Sequence, residues 1–225
     1  MDFHPASPGS LAAFVAIVLA VAAALLWAVQ RTFRSVTVTA LAAGGLCLWL
    51  GALAALIASG KMSSLPAGGL PLFFLPILVV WIGLGLSPVG RRMSSAVPLT
   101  ALVAFQTFRL PLELVLHGWV AQGVIPNTMT WTGQNLDIVS GVLALVCAPL
   151  ASRHPVLARI FNGIGFALLL NVIRVAVLSS PVPFGWGVQP PLQLAFHLPY
   201  AFIGPVCVGG ALFGHIVLTR ALWKR

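Results

Sequence analysis

Long stretches without a charged residue dominate this chain and leave it few possible folds. Apolar runs recur from Leu11 to Leu218, and several reach the ~17–25 residues that an α-helix needs to cross the hydrocarbon core of a bilayer. Of the 225 residues, 60% are hydrophobic and only 7% are charged, which is too apolar for a water-soluble domain. The sequence therefore predicts an all-α integral membrane protein whose main solvent is lipid.

Seven apolar segments are separated by charged or Pro- and Gly-rich breaks. No basic residue precedes the first segment and no small-residue cleavage site follows it, so it is expected to stay as a helix rather than act as a signal peptide. The fifth is the shortest, and either begins earlier in the loop before it or crosses the membrane only in part. The seventh holds Pro199 and Pro205, which predict a kink. The predicted spans are Leu11–Val29, Thr37–Ala58, Leu70–Leu86, Val97–Leu116, Leu136–Ala151, Val156–Leu178 and Leu192–Leu218.

Lys and Arg residues outside these segments, or within three residues of a segment end, are divided very unevenly between alternate loops. One set of loops holds nine of them, whereas the other set holds Lys61 alone. Because short cytoplasmic loops accumulate Lys and Arg, this asymmetry predicts an N-terminus outside, a cytoplasmic C-terminus and a multi-pass location in the plasma (inner) membrane. No loop is long enough for a separate soluble domain, so residues 1–225 are predicted to form a single transmembrane domain. The nine are Arg31, Arg34, Arg91, Arg92, Arg153, Arg159, Arg220, Lys224 and Arg225.

The formal net charge of +9 does not indicate a nucleic-acid partner, because the basic residues come in ones and twos between apolar segments. Cys47, Cys147 and Cys207 each lie inside an apolar segment, which predicts buried free thiols rather than disulfides or a metal site. No cofactor is expected. The lipid bilayer is the one partner that the composition requires, and the sequence carries no signature of a particular oligomeric state.

Four ionisable residues lie within or at the ends of the predicted helices. They are Arg109, Arg174, Glu113 and Asp137, and their formal charges sum to zero. Near the centre of a bilayer each such side chain costs at least ~2.5–3.5 kcal/mol on insertion scales, so these residues normally pair or line a polar cavity. One interpretation is that Arg109–Glu113 and Arg174–Asp137 form ion pairs that tie helices together.

The other interpretation is a polar site that faces outward, formed mainly by residues 97–205. Four of its members share one face of the fourth predicted helix, and others lie near the outer ends of the sixth and seventh. The acids would orient the two arginines, leaving guanidinium donors for a carboxylate or a phosphate. The candidate binding residues are Gln106, Arg109, Glu113, His117, Asp137, Asn171 and Tyr200.

Three short motifs resemble the exosortase/archaeosortase family. They are Asp-Ile-Val-Ser-Gly at 137–141, Asn-Val-Ile-Arg-Val at 171–175, and Phe196-His197 with Gly204 after it. Members of that family are multi-pass membrane enzymes with Cys-Ser-Gly, Asn-x-x-Arg and a later His on consecutive helices near the outer face. The resemblance, which covers residues 134–210, implies a sortase-like transpeptidase in which a thiolate attacks a C-terminal sorting signal, assisted by Arg174 and His197.

The sequence departs from the family at the nucleophile. Val139 stands where the family has its Cys, and a valine cannot form an acyl-enzyme. Cys147 is two turns deeper than Ser140 on the same face, roughly 10 Å away, and the interval from Arg174 to His197 is short for the family. Either the protein is a degenerate relative that recognises a peptide or lipid-linked group without cutting it, or Ser140 acts with His197 and Arg174, or the likeness is chance. We favour binding over catalysis.

Other functions fit the same pattern. A Ser–His pair on two inward-running helices is also similar to rhomboid intramembrane proteases, although the third helix here lacks their His/Asn oxyanion pair. A transporter or channel would line its path with the same residues and predicts polar residues through the cytoplasmic half, where the helices are nearly all Ala, Val, Leu and Gly. A non-catalytic subunit of a larger membrane complex is the third alternative.

Overall fold

Helices make up almost all of the regular structure. The computed structural model describes residues 3–62 and 70–224, with the backbone alone at 71–73, and this part of the chain contains no strand. Arg225, one of the nine basic residues counted above, lies outside the described residues. The α-helices are α1 Pro8–Phe33, α2 Val36–Ala58, α3 Leu70–Leu86, α4 Pro88–Ala96, α5 Leu99–Phe105, α6 Arg109–Ala121, α7 Asp137–Cys147, α8 Pro155–Ser179 and α9 Gly209–Leu222.

Short segments of tighter or wider helix join several of these elements. A 3-10 turn at Gln106–Phe108 connects α5 to α6, and Tyr200–Ile203 followed by a π-helical segment, Gly204–Val208, leads into α9. Five of the resulting continuous helices are long and apolar enough to cross a bilayer: Pro8–Phe33, Val36–Ala58, Leu99–Ala121, Pro155–Ser179 and Tyr200–Leu222. The structure is therefore an all-helical bundle whose composition is compatible with a multi-pass membrane protein.

The third and fifth predicted segments have less regular counterparts. Phe74–Leu86 passes the same test only together with α4, to which it is bent by 59° at Ser87, and Asp137–Leu150 is a shorter apolar helix. Ser87 caps the N-terminus of α4, and Pro88 occupies the first turn. Arg220 donates to the carbonyl oxygens of Gly85 and Ser87 at 2.8 and 3.1 Å, so a cation covers the end of α3.

The helix that ends in α9 is the centre of the bundle. Its most apolar stretch is 78% buried, against 17% for α1 and 11% for α2. Small residues allow this burial, since a methyl group on Gly209 would collide with the Trp81 ring of α3. Trp81 also donates from Nε1 to the carbonyl oxygen of Pro205 at 2.7 Å, within the π-helical segment. The first two helices are accordingly peripheral.

The predicted seventh segment, Leu192–Leu218, begins too early. Residues 180–199 form turns and short 3-10 pieces, and continuous helix starts only at Tyr200. Proline supplies no backbone N–H and disfavours helix in the residue before it, so Pro190, Pro191 and Pro199 prevent an earlier start. Around Pro205 the helix changes from 3-10 to π to α geometry.

The segment before α7 folds into the bundle instead of lying along its surface. Val124, Ile125 and Met129 are buried, as is Asn135. Asp137, the first residue of α7, contacts Arg109, which is twelve residues before Ala121 at the end of α6. Asn135, two residues before Asp137, donates to Glu113, which lies eight residues before Ala121, so at 1.5 Å per residue the start of α7 lies roughly 12 Å below that end. The fifth predicted segment is thus a half-length helix that begins deep.

Close contact between α6 and α7 depends on Gly141. A methyl group on Gly141 would lie 2.7 Å from both Cα and Cβ of Leu110. Asp137, Ser140, Gly141 and Ala144 form the buried face of α7, with the i, i+3, i+4, i+7 spacing of one helical face. Gly141 therefore lets α7 pack closely against α6, and Asp137, one turn earlier on the same face, pairs with Arg109.

We expect G141A to lower the free energy of unfolding by about 1–3 kcal/mol, because the added methyl overpacks a backbone contact. Gly163 of α8 provides the matched control, since a methyl group there meets nothing within 4 Å. Replacing this helical glycine with alanine should be neutral or slightly stabilising. Thermal unfolding of the purified variants in detergent measures both. Equal melting temperatures for G141A and G163A would contradict the close α6–α7 contact.

Candidate functional site

A buried ion pair between Arg109 and Asp137 occupies the middle of the bundle. Arg109 Nε donates to Asp137 Oδ2 at 2.6 Å, and Arg109 Nη2 donates to Asp137 Oδ1. Arg109 is 1% exposed. The prediction of an arginine–carboxylate contact is confirmed, but the pairing is different: Arg109 takes Asp137 rather than Glu113, and this leaves Arg174 without the acid assigned to it. Arg109 also lies in the middle of Leu99–Ala121, deeper than expected.

The other side of the guanidinium is held by α8 and α9. Arg109 Nη1 donates to the carbonyl oxygen of Gly165 at 3.1 Å and lies 3.0 Å from His215 Nε2. Because a guanidinium has only donors, His215 Nε2 must accept, and the ring is neutral with its proton on Nδ1. A methyl group on Gly165 would lie 2.7 Å from His215 Cε1, so glycine makes room for this contact.

His215 begins a short chain of hydrogen bonds toward the end of α9. Its Nδ1–H donates to Asn162 Oδ1 at 2.9 Å, Asn162 Nδ2 donates to Thr219 Oγ1 at 2.7 Å, and the Thr219 hydroxyl donates to the carbonyl oxygen of His215 at 2.9 Å. The chain closes on itself. The sequence interpretation gave His215 no function and considered this half of the bundle apolar. The available signal was Thr219, one turn after His215 on the same face.

Glu113 lies near the ion pair but has no cation of its own. Its Oε1 accepts from Asn135 Nδ2 at 2.8 Å, and Asn135 is fixed in turn by the carbonyl oxygen of Met129 and the backbone N–H of Asp137, both at 3.0 Å. Glu113 is 2% exposed, and its Oε2 has no hydrogen-bond partner among the described residues. Asn135 was not singled out from the sequence, since it is an ordinary loop residue until the loop enters the bundle.

A cavity of about 280 Å³ lies beside these residues. Its walls are formed almost entirely by hydrophobic side chains of α3, α6, α8 and the helix from Tyr200 to Leu222. Among the residues that the structure describes, four polar ones join the lining: Arg109, Glu113, Asp137 and Ser180. The site therefore combines an apolar compartment with a buried carboxyl that still has an oxygen to share.

The remaining residues of the predicted polar stripe have local partners. Gln106 is fully buried and donates from Nε2 to the carbonyl oxygen of Ala211 at 3.1 Å. His117 stacks on Trp131 with ring centroids 4.2 Å apart. Trp119, in the last turn of α6, is fully buried against Phe14. Arg109 and Glu113 are thus the two stripe residues that line the cavity.

The Asn-x-x-Arg motif lies on another part of α8, at its exposed surface. Asn171 donates to the carbonyl oxygen of Gln134 at 2.8 Å, and Arg174 Nη2 donates to Asn171 Oδ1 at 2.8 Å. The Arg174 guanidinium lies 5.6 Å from the centre of the Trp186 ring, within cation–π distance. Arg174 and Asn171 therefore fasten two loops to α8 and do not line the cavity.

The other catalytic candidates also have separate surroundings. Ser140 is buried, and its hydroxyl has no hydrogen-bond partner among the described residues. His197 stacks on Phe3 with ring centroids 3.8 Å apart, and partial burial lowers the pKa of this histidine. Tyr200 accepts from the backbone N–H of Ala6 at 2.8 Å. In the described part of the chain, Ser140 thus makes no nucleophile–base hydrogen bond of the kind covalent catalysis requires.

The fold and the site define an all-helical protein with apolar helices long enough to span a membrane, a buried ion pair and an adjoining apolar cavity. The chain belongs to the family described as Domain of unknown function (DUF8737), whose model matches residues 70–223. That range runs from α3 through α9 and includes the ion pair, Glu113 and the whole lining of the cavity. No curated protein and no solved structure matches the chain.

We expect D137N to lower the free energy of unfolding by about 3–5 kcal/mol, because it leaves Arg109 buried without its counter-charge. The double variant R109M/D137L removes both charges and should recover much of that loss. R174Q is the control, since Arg174 is exposed and should change stability little. The melting temperature of each variant in detergent is the measurement. A D137N protein as stable as R174Q would show that the pair does not hold the bundle together.

Proposed function

We propose that the protein is a multi-pass inner-membrane protein with seven spans, its N-terminus outside and its C-terminus in the cytoplasm. Support comes from the nine-to-one division of Lys and Arg between alternate loops. To the five long helices this topology adds the bent pair α3–α4 and the half-length α7 with the buried segment before it. Irregular backbone at membrane depth is acceptable there because the bundle, and not lipid, surrounds it.

This topology predicts opposite results for two reporters. A fusion at the C-terminus should report cytoplasm, and one inserted at exposed Gly133, between α6 and α7, should report the outside. Activity of paired cytoplasmic and extracytoplasmic reporter enzymes at each position is the measurement. The same location for both would contradict the odd number of crossings between the two sites.

We further propose that the protein is an exosortase-like receptor that binds a peptide or lipid-linked group without cutting it. The observation that carries this proposal is the apolar cavity together with Glu113 Oε2, a buried oxygen with no partner among the described residues. Buried polar atoms normally have partners, so an unpaired carboxyl oxygen beside an empty apolar space fits a ligand that supplies one.

Binding without cutting agrees with the environment of the family's nucleophile position. Val139 is 42% exposed and shares an outer face of α7 with Val142 and Val146, away from the buried face that carries Asp137. A thiol at that position would point out of the bundle here. Ser140, which does face inward, is buried, and its hydroxyl has no hydrogen-bond partner among the described residues.

Transport is a second candidate, favoured by one observation. The hydrogen bonds among His215, Asn162 and Thr219 carry polar groups into the half of the bundle that the sequence suggested was apolar. This network closes through the Thr219 hydroxyl and the carbonyl oxygen of His215. None of these three residues is among the described lining residues of the cavity, and binding is therefore the better supported function.

Filling the cavity should remove the ligand. Ala176 lines the cavity from α8, whereas Ala167 is an exposed residue of the same helix outside the lining. We expect purified wild-type protein and A167F to carry a co-purifying peptide or lipid-linked molecule that A176F lacks. Mass spectrometry of the purified proteins is the measurement, with the melting temperature as the check on folding. The proposal fails where wild type carries no such molecule, or where a folded A176F carries as much as A167F.

A further inference from the structure

The acidic and basic groups that line the cavity are unequal in number. Arg109 is the one cationic residue among the described lining residues, and two carboxyl groups, Asp137 and Glu113, join it there. Four of the five guanidinium N–H groups are used, two on Asp137, one on Gly165 and one on His215. The fifth makes no hydrogen bond to Glu113, whose Oε2 has no partner among the described residues. Within the described part of the chain, Glu113 is therefore a carboxyl without an ion-pair partner.

The unpaired oxygen is held in a fixed position. Asn135 fixes Glu113 Oε1 and is itself anchored on Met129 and Asp137, so the carboxyl cannot turn away without breaking this set of bonds. Oε2 is thereby fixed in position, on a residue that lines the apolar cavity. A buried carboxyl without a counter-charge takes up a proton, whereas one that receives a charge-assisted hydrogen bond from a cation is stable as the carboxylate.

We propose that Glu113 Oε2 receives the ammonium group of an amphiphile whose single apolar chain fills the cavity. This inference rests on the binding function proposed above and names the chemical class of its ligand. A ligand phosphate or carboxylate would add a second uncompensated negative charge beside Glu113, which reverses the sequence expectation that the arginines present donors to an anion. An ammonium group neutralises the excess.

The walls and the volume restrict the rest of the ligand. Hydrophobic side chains line the cavity almost completely, so the amide groups of a peptide would enter with few partners for their hydrogen bonds. At about 280 Å³ the cavity lies just below the ~300–1,000 Å³ typical of ligand pockets. It suits one short hydrocarbon chain rather than the two chains of a bilayer phospholipid. We therefore commit to a single-chain amine.

Three probes with the same chain length test the head group. Decylamine, decanol and decanoate are titrated separately into the full-length protein in a non-ionic detergent, and dissociation constants are measured by calorimetry against a detergent blank. We expect decylamine to bind about tenfold to a hundredfold more tightly than decanol, the range for a hydrogen bond to a charged group. Decanoate should bind most weakly. A tri-leucine peptide with a free amino terminus carries the same ammonium group on an amide backbone and should bind more weakly than decylamine.

E113Q provides the matched variant, because its side-chain oxygen can still accept from Asn135 while the charge is gone. We expect the preference for decylamine over decanol to disappear in E113Q, with decanol binding unchanged, and to persist in R174Q. Melting temperatures establish that each variant is folded. Were E113Q not to fold, the order of affinities in wild type alone would decide the matter.

The outcomes separate this inference from the function on which it rests. Where no probe binds wild type, both fail. Where decanol or decanoate binds as well as decylamine, and A176F weakens that binding, the cavity is a ligand site but the ammonium assignment is wrong. The assignment is equally wrong where E113Q keeps the amine preference. Tighter binding of the peptide than of decylamine would overturn the choice of a lipid-like chain.

Discussion

An arginine in the middle of an apolar bundle must find its partners within the protein, and this constraint determines much of the architecture. Arg109 needs a carboxylate at its own depth, and the carboxylate comes from Asp137 at the beginning of α7. For Asp137 to reach that depth, α7 has to start deep and the segment before it has to fold into the bundle. Gly141 allows α7 to approach α6 closely enough, and Gly165 leaves room for His215 on the other side. A short helix, a buried loop and two glycines are all consequences of one charge.

The helices were largely predictable from the sequence, because a run of apolar residues without charge has few alternatives in lipid. Their ends were less so. The segment expected at Leu192–Leu218 begins at Tyr200. The prolines before that residue indicate the later start, because proline disfavours helix. The half-length α7 was recognisable as the shortest apolar run. Its depth was not, because depth is set by the pairing of Asp137 with Arg109 and not by hydropathy.

The site was predictable in its composition but not in its pairing. Ionisable residues in apolar helices were bound to meet, yet which acid met which arginine depended on the relative register of packed helices, and a single sequence does not contain that information. His215 and Asn135 were missed for the same reason. Two of the three short motifs that suggested catalysis have packing functions here: Gly141 lets α7 pack closely against α6, and Asn171 and Arg174 fasten loops to α8. Short motifs of small and polar residues arise readily where helices and loops touch.

Arg109 and Glu113 lie one turn apart on α6, but they differ in how many of their hydrogen-bonding groups have partners in the protein. This difference assigns Arg109 to stability and Glu113 to function. Arg109 donates two hydrogen bonds to Asp137, one to the carbonyl oxygen of Gly165 and one to the neutral ring of His215. It therefore has little hydrogen-bonding capacity left for a ligand. Glu113 has one oxygen fixed by Asn135 and the other without a hydrogen-bond partner among the described residues, and its side chain lines the apolar cavity. A bundle that needed only cohesion would gain by replacing Glu113 with a hydrophobic residue, since an unsatisfied buried carboxyl costs free energy and an apolar side chain of similar size does not. A ligand that hydrogen-bonds to Glu113 would offset this cost, and such a ligand would bind in the cavity that Glu113 lines.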